Sequence, residues 1–408
     1  MSLFALSLAY IRARSLNAAL NLLLLALGIG TIVLLILFSA RLEDRLTRDA
    51  LGIDLVIGAK GSPLQLILSS VYQADIPTGN IPLAEVERWR RHPMVDAAIP
   101  LAMGDNVAGF RIVGTEHAYP AHYDAVLAEG RLWQEPFEAT LGASVANDTG
   151  LAVGDRFISS HGLGGVGAEH GEHPYTLVGV LEPSASILDR LVLTPIESVW
   201  GTHGIELHEE HDDAHGAKET EADAERPLEV TSLLLRYRTP LAAVELPRAV
   251  NRTPGLQAAS PALESARLYA LIGVGLDAVR VFGLLLVVTA GLGVFIALSN
   301  AMQERRYDLA VLRTLGASRS TLFAQPLIEG LLLAAGGAFL GLVLGHGAAE
   351  ILGRALPEGR EMGLTGMIWR IEEIYLVCLA LVVGLLAALI PAIQAYRTDI
   401  ATTLASHA

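Results

Sequence analysis

Residues Glu304 to Gly330 read ERRYDLAVLRTLGASRSTLFAQPLIEG, a short charged stretch lying between two long hydrophobic runs. Arg305, Arg306, Arg313 and Arg319 crowd this connection, and the positive-inside bias assigns such a connection to the cytoplasm. Between the charges, Leu309, Leu312, Leu315 and Leu322 recur at helical spacing and predict an apolar stripe. Gly316-Ala317-Ser318 interrupts the stripe, with Gly as a helix stop and Ser318 as the cap of the next helix. An amphipathic helix tied at both ends to membrane spans can receive a push from a soluble partner.

The rest of the chain fits that reading. Over 408 residues, 52% are hydrophobic, and the mean hydropathy is +0.45, too apolar for an ordinary soluble protein of this size. Four runs reach the roughly 20 apolar residues that a bilayer requires. They lie near Leu16–Phe38, Asp277–Asn300, Leu327–Glu350 and Ile374–Ala395. The first follows Arg12 and Arg14, as a secretory signal would. Its apolar run is longer than a signal core and no clean cleavage site follows it, so it reads as a retained anchor. Arginines before the first span, between the second and third, and at Arg397 after the fourth predict cytoplasmic termini.

The predicted layout is therefore an amphipathic segment and first span (1–40), a large outer domain (41–274) and a second span (275–300). A cytoplasmic coupling segment (301–326), a third span (327–351), a short outer loop (352–372), a fourth span (373–396) and a tail (397–408) follow. The fold class is a four-helix membrane protein with an α+β domain inserted between spans one and two. Residues 41–274 hold 18 Lys/Arg and 33 Asp/Glu, so nearly all of the chain's net charge of −14 lies there. An acidic domain of this kind excludes nucleic acid as its partner. The single cysteine, Cys378, falls in the fourth span, so the outer domain is held by its core rather than by disulfides.

The 304–330 stretch closely resembles the signature of the FtsX/MacB family of ABC-transporter permeases. Its members carry a similar Glu-Arg-Arg, then Leu-Arg-Thr/Ala-Leu-Gly-Ala, then Glu-Gly succession. A second match is LGASVANDTGLAVGDRF at Leu141–Phe157, followed after a gap by YTLVGVLEPSASILDRLVLTPIESVW at Tyr175–Trp200. This pair resembles the MacB-type periplasmic core domain, a small α+β module interrupted by a variable insertion. The resemblance implies a permease subunit of a MacB-like (type VII) ABC system in a bacterial inner membrane. It implies a second copy or a paralogous permease, a cytoplasmic ABC ATPase carrying ATP and Mg, and a periplasmic protein or lipoprotein partner. Coupling to the ATPase would fall on Glu304, Arg305, Asp308, Leu309, Val311, Leu312, Arg313, Leu315 and Gly316. Motion driven by ATP would pass through the bilayer to the outer domain, for export or extraction of a substrate. Two other readings compete: an FtsX-like regulatory scaffold that switches a periplasmic enzyme without transport, and a zinc-linked transporter or sensor component.

Within the outer domain, Leu51–Ile57, Phe110–Gly114, Arg156–Ser159, Tyr175–Val180 and Val230–Arg238 predict strands. Arg41–Asp49, Leu83–Arg91, Ala143–Gly150 and Pro261–Gly275 predict helices. No phosphate-binding loop is present, since Gly58-Ala59-Lys60-Gly61-Ser62 lacks the required Gly-Lys-Ser/Thr order. ATP hydrolysis is accordingly assigned to a partner, and neither a catalytic residue nor a cofactor of its own is assigned to this chain. The spans carry no ionisable residue at their centres, and Gly337 and Gly341 form a GxxxG spacing suited to close helix contact. Two insertions, His161–His173 and Thr202–Glu229, are rich in histidine and acid. His208, His211 and His215 stand at helical spacing and, with His161, His170 and His173, form a candidate Zn²⁺ site. The bland alternative is a solvated acidic loop.

Overall fold

The computed structural model describes residues 3–160, 173–202, 227–305, 309, 311, 313–356, 359–360 and 362–397. The chain divides into two compact units, Met1–Asp44 with Leu271–Ala408, and Arg45–Ala270. Among the described residues, four helices are long and apolar enough to cross a membrane, and a mixed α+β domain lies between the first and second.

Helix α1 (Leu3–Ala13) precedes α2 (Ser15–Asp49), which continues unbroken from the first apolar run through the charged Arg41–Asp49 stretch. A turn ends it, with Leu51 N–H donating to the Arg48 carbonyl and Gly52 at φ +75°. That turn uses up the residues expected to begin a strand. Strand β1 accordingly runs Leu55–Ala59 rather than Leu51–Ile57.

Next come α3 (Pro63–Ser70), β2 (Ile81–Pro82), α4 (Leu83–Arg90), β3 (Val95–Val107), β4 (Phe110–Thr115) and α5 (Ala118–His122). Strands β5 (Leu127–Gly130) and β6 (Glu138–Leu141) lead to α6 (Ala143–Thr149), which stops at Gly150 in the left-handed region. Strands β7 (Arg156–Phe157), β8 (Tyr175–Leu181) and β9 (Leu191–Thr194) precede α7 (Ile196–Thr202). The domain closes with β10 (Glu229–Val230), β11 (Ser232–Tyr237), α8 (Ala242–Arg252) and β12 (Leu256–Ala259). The stretch expected as a single strand over Val230–Arg238 is thus split at Thr231. The Thr231 hydroxyl oxygen accepts from Met103 N–H at 2.8 Å.

The main sheet has the order β12-β1-β11-β3-β4-β9-β6-β8-β5, with β7 beside β8. Strands β1 and β11 are buried on both faces, which explains why they are continuously apolar rather than alternating. Leu55, Ile57, Leu233 and Leu235 point into one cluster, while Val56 and Leu234 between them point into another. Ala242, Leu246 and Val250 recur every four residues along α8 and cover the first of these faces.

Helix α9 (Pro261–Glu304) starts on a proline and passes without a break from the end of the domain into the second span. Helices α10 (Arg319–Ala355) and α11 (Ile371–Tyr396) complete the set. Leu25, Ile29 and Val33 of α2 lie against Gly337, Gly341 and Gly345 of α10, so the GxxxG spacing is extended by one more glycine. A side chain begun at Gly341 would come within 2.7 Å of Ile29 Cβ and 3.1 Å of the Ala26 carbonyl oxygen. Helices α10 and α11 meet as closely, since a methyl at Gly330 would lie 2.7 Å from the Gly384 carbonyl oxygen. Small residues here substitute backbone contact for the hydrophobic drive that lipid removes.

His346 of α10 contacts Glu373 of α11, Nε2 to Oε2 at 3.0 Å, and its Nδ1–H donates to the Gly366 carbonyl at 2.6 Å. The apolar interior also has a polar intrusion that periodicity does not reveal. Asn21 is 7% exposed, and a Cβ at Gly293 would lie against its Oδ1.

Replacing Gly341 with leucine should therefore destabilise the membrane unit by about 1–3 kcal/mol, the usual cost of overpacking. Gly347, where an added methyl group would meet nothing within 4 Å, should tolerate alanine. Thermal unfolding of the full chain in lipid nanodiscs compares the two.

Candidate coupling site

The end of α9, the start of α10 and the N-terminal α1 meet around a buried cation. Arg305 is 8% exposed, and its guanidinium carbon lies 3.5 Å from the centroid of the Tyr10 ring. Its Nη1–H donates to Glu329 Oε1 at 3.2 Å. Glu329 is 5% exposed and also accepts from Gln325 Nε2, 3.4 Å away and 1% exposed. Beside this group, Arg14 pairs with Glu304. Each partner is placed by the local fold. Gln325 and Glu329 are one helical turn apart on α10 and so share a face. Tyr10 lies in the last turn of α1, and Arg14 in the break between α1 and α2.

The chain then turns through the segment predicted to couple. Leu309 N–H donates to the Arg305 carbonyl and Leu315 N–H to the Val311 carbonyl, both helical contacts. Gly316 ends this turn at φ +98°, and Ser318 caps α10, its Oγ accepting from Thr321 N–H at 3.1 Å. Leu309 is fully buried with Met302, Leu322 and Ala395, and Val311 is half-buried. Arg313 is half-buried, with its Nε unpartnered among the described residues. Leu315 is 79% exposed.

The expected stripe is therefore corrected at one position. Leu309 and Leu322 face inward, but Leu315 does not. Six residues at about 100° each carry Leu315 well round the helix from Leu309. Asp308 and Leu312 lie outside the described residues, as do His161, His170, His208, His211 and His215. His173 is described and stacks on Phe137, with ring centroids 5.0 Å apart.

Tyr10, Arg14, Gln325 and Glu329 all lie outside Glu304–Gly316, the segment to which the sequence pattern assigns coupling. The available signal was Glu329 itself. A carboxylate just inside an apolar run requires a partner, and the preceding Arg-rich connection is the nearest supply.

Chemically the group is a fastening. It ties the end of α9, the start of α10 and α1 to one another.

Removing one partner of a buried pair leaves the other charge without compensation, at a cost of about 3–5 kcal/mol. Glu329→Ala should therefore lower the unfolding temperature sharply and release α1 to protease. Glu329→Gln, which keeps an acceptor, should do less. The double variant Arg305→Met with Glu329→Met should cost less than the sum of the two single changes.

Comparisons with known proteins place these features. The sequence model of a family described as MacB-like periplasmic core domain matches residues 18–267, and that of FtsX-like permease C-terminal matches residues 280–400. Among solved structures, the periplasmic region of MacB from Actinobacillus actinomycetemcomitans is 12% identical. The match covers 54% of this chain and 95% of that one, with a TM-score of 0.34. The extracellular domain of the noncanonic ABC-type transporter YknZ from Gram-positive bacteria is 11% identical, covering 50% of this chain and 98% of that one, with a TM-score of 0.31. A comparison with curated proteins finds no match.

Proposed function

Since the chain belongs to the FtsX/MacB-type permease family, we propose that it is the membrane subunit of a MacB-like ABC system driven by a separate ATPase. It is a multi-pass membrane protein, with four helices able to span a bilayer. The proposal is that the ATPase docks on the Glu304–Gly316 segment from the cytoplasm, that two permease copies pair, and that closure of the ATPase tilts the helices. Both termini then lie in the cytoplasm of a bacterial inner membrane, and the inserted domain performs work on the other side.

The observation that supports this reading is the Arg305 fastening. A docking segment on a loose loop would absorb a push. Here Arg305 is held by Glu329 of α10 and by the Tyr10 ring of α1, and Leu309 is packed against both flanking helices and Ala395 of α11. Displacement of the turn is thereby shared among the helices.

Leu315 supplies the apolar contact that the buried stripe leaves free, since it is the most exposed leucine among the described residues of the segment. A charge placed there would be desolvated at the contact. Leu315→Asp should abolish copurification of the ATPase and stimulation of ATP hydrolysis, while the chain still inserts and unfolds at the wild-type temperature. Normal stimulation by that variant would remove the docking assignment.

Orientation is checked separately in a Cys378→Ala background. With the outer barrier opened, Glu182→Cys should react with an impermeant maleimide from outside, and Ser320→Cys should stay unlabelled until the inner membrane is broken. The reverse pattern would place the coupling segment on the wrong side.

A further inference from the structure

Helices α2 and α9 join the inserted domain at Leu46–Asp49 and Pro261–Ser265, and one side chain reaches both. Tyr72, just past α3, is 6% exposed, with its ring in the domain core. Its hydroxyl oxygen lies 3.2 Å from the Leu46 carbonyl oxygen and 2.5 Å from Ser265 Oγ. Ser265 Oγ in turn lies 2.6 Å from the Pro261 carbonyl oxygen. Leu46 is in the last turn of α2, where carbonyls lack helical partners. Tyr123 serves the same turn differently, its hydroxyl donating to the Asp49 carbonyl at 2.7 Å.

The number of hydrogens limits what these contacts do at once. Each hydroxyl carries one hydrogen, and both carbonyls only accept. Three contacts therefore share two hydrogens. Two hydroxyl oxygens this close need a hydrogen between them, so when Ser265 donates to Pro261, Tyr72 donates to Ser265 and the Leu46 carbonyl receives nothing from it. When Ser265 donates to Tyr72 instead, Tyr72 donates to Leu46 and the hydroxyl chain runs from α9 to α2. Burial pushes the Tyr72 hydroxyl above the ordinary tyrosine value, so it keeps its hydrogen at neutral pH.

We propose that Tyr72 is a positioning residue with two hydrogen-bond arrangements, one that ties the end of α2 to the start of α9 and one that undoes this tie. The second leaves α2 to its remaining contacts, among them Tyr123 with the Asp49 carbonyl and Arg48 with the Ala185 carbonyl. The Tyr72–Ser265 contact persists in both, so α9 stays attached to the domain core while this tie to α2 is conditional. Such an element has the two discrete states that a transmitted displacement needs. Its use in transmission rests on the proposed function, but its existence is a property of this chain alone.

The test uses the full chain in lipid nanodiscs, without ATPase, on the Cys378→Ala background. Spin labels at the exposed positions Thr47 and Ala266 report the spacing of the two helix ends. The tied chain should give a single narrow distance distribution. Tyr72→Phe keeps the buried ring, and Ser265→Ala removes the relay at a helix start. Each should lose the narrow maximum and shift weight to longer distances. Tyr123→Phe, which removes a comparable hydrogen bond from α2 alone, should leave the distribution narrow. An unchanged distribution in Tyr72→Phe overturns the proposal. So does equal broadening in Tyr123→Phe, which would mean general loosening. Because no ATPase is present, neither result bears on docking at Glu304–Gly316, and failure of Leu315→Asp to uncouple would leave this tie untouched.

Discussion

Arg305 and Glu329 form an ion pair withdrawn from water, and the arrangement of the helix ends around them follows from that. Neither charge is tolerable alone at its observed burial, so α9 and α10 must present them to each other. The Tyr10 ring covers the guanidinium and Gln325 takes a further position on the carboxylate, which brings α1 into the same group. The turn between α9 and α10 has both its ends fixed by this pair. Its inward leucines, Leu309 and Leu322, then fill the space between the helices, and Leu315 is left outside. Leu315 is thereby the leucine of the turn left exposed among the described residues.

Beyond that group, the membrane helices are held by shape. Leu25, Ile29 and Val33 fit a groove made by glycines spaced every four residues on α10, and α10 meets α11 through Gly330 and Gly384. Contacts between backbones this close resist sliding, because any shift brings side chains where only glycine fits. Such helices tilt as bodies more readily than they deform. In the inserted domain the same logic returns in polar form, where hydroxyl groups take up the carbonyls that end α2.

Much of this was legible in the residues. Leucine spacing and the Gly316–Ser318 break located the turn between α9 and α10, and Ser318 does cap α10. The α+β character of the inserted domain and the four spans follow from patterns of period and hydropathy. Hydropathy marks where lipid ends, but the charged Arg41–Asp49 stretch and Pro261–Gly275 carry the helix signal beyond it, and α2 does end at Asp49 and α9 does begin at Pro261. Strand bounds were less legible, because the turn that closes α2 takes up the residues after Asp49 and β1 starts only at Leu55. Leu315 was misassigned to the stripe because helical spacing drifts over six residues. Tyr72 and Ser265 were invisible because their meeting depends on tertiary contact between residues 193 positions apart.

In the proposed mechanism, displacement of the Glu304–Gly316 turn reaches the inserted domain. Hydrogen–deuterium exchange on the full chain with its copurified ATPase in nanodiscs, with and without a non-hydrolysable ATP analogue, tests it directly. The account predicts altered protection at two places far from the ATPase in sequence, the end of α2 at 46–53 and the start of α9 at 261–270, together with protection of 311–316. Nucleotide-dependent protection at 311–316 with no change at either helix end would contradict it.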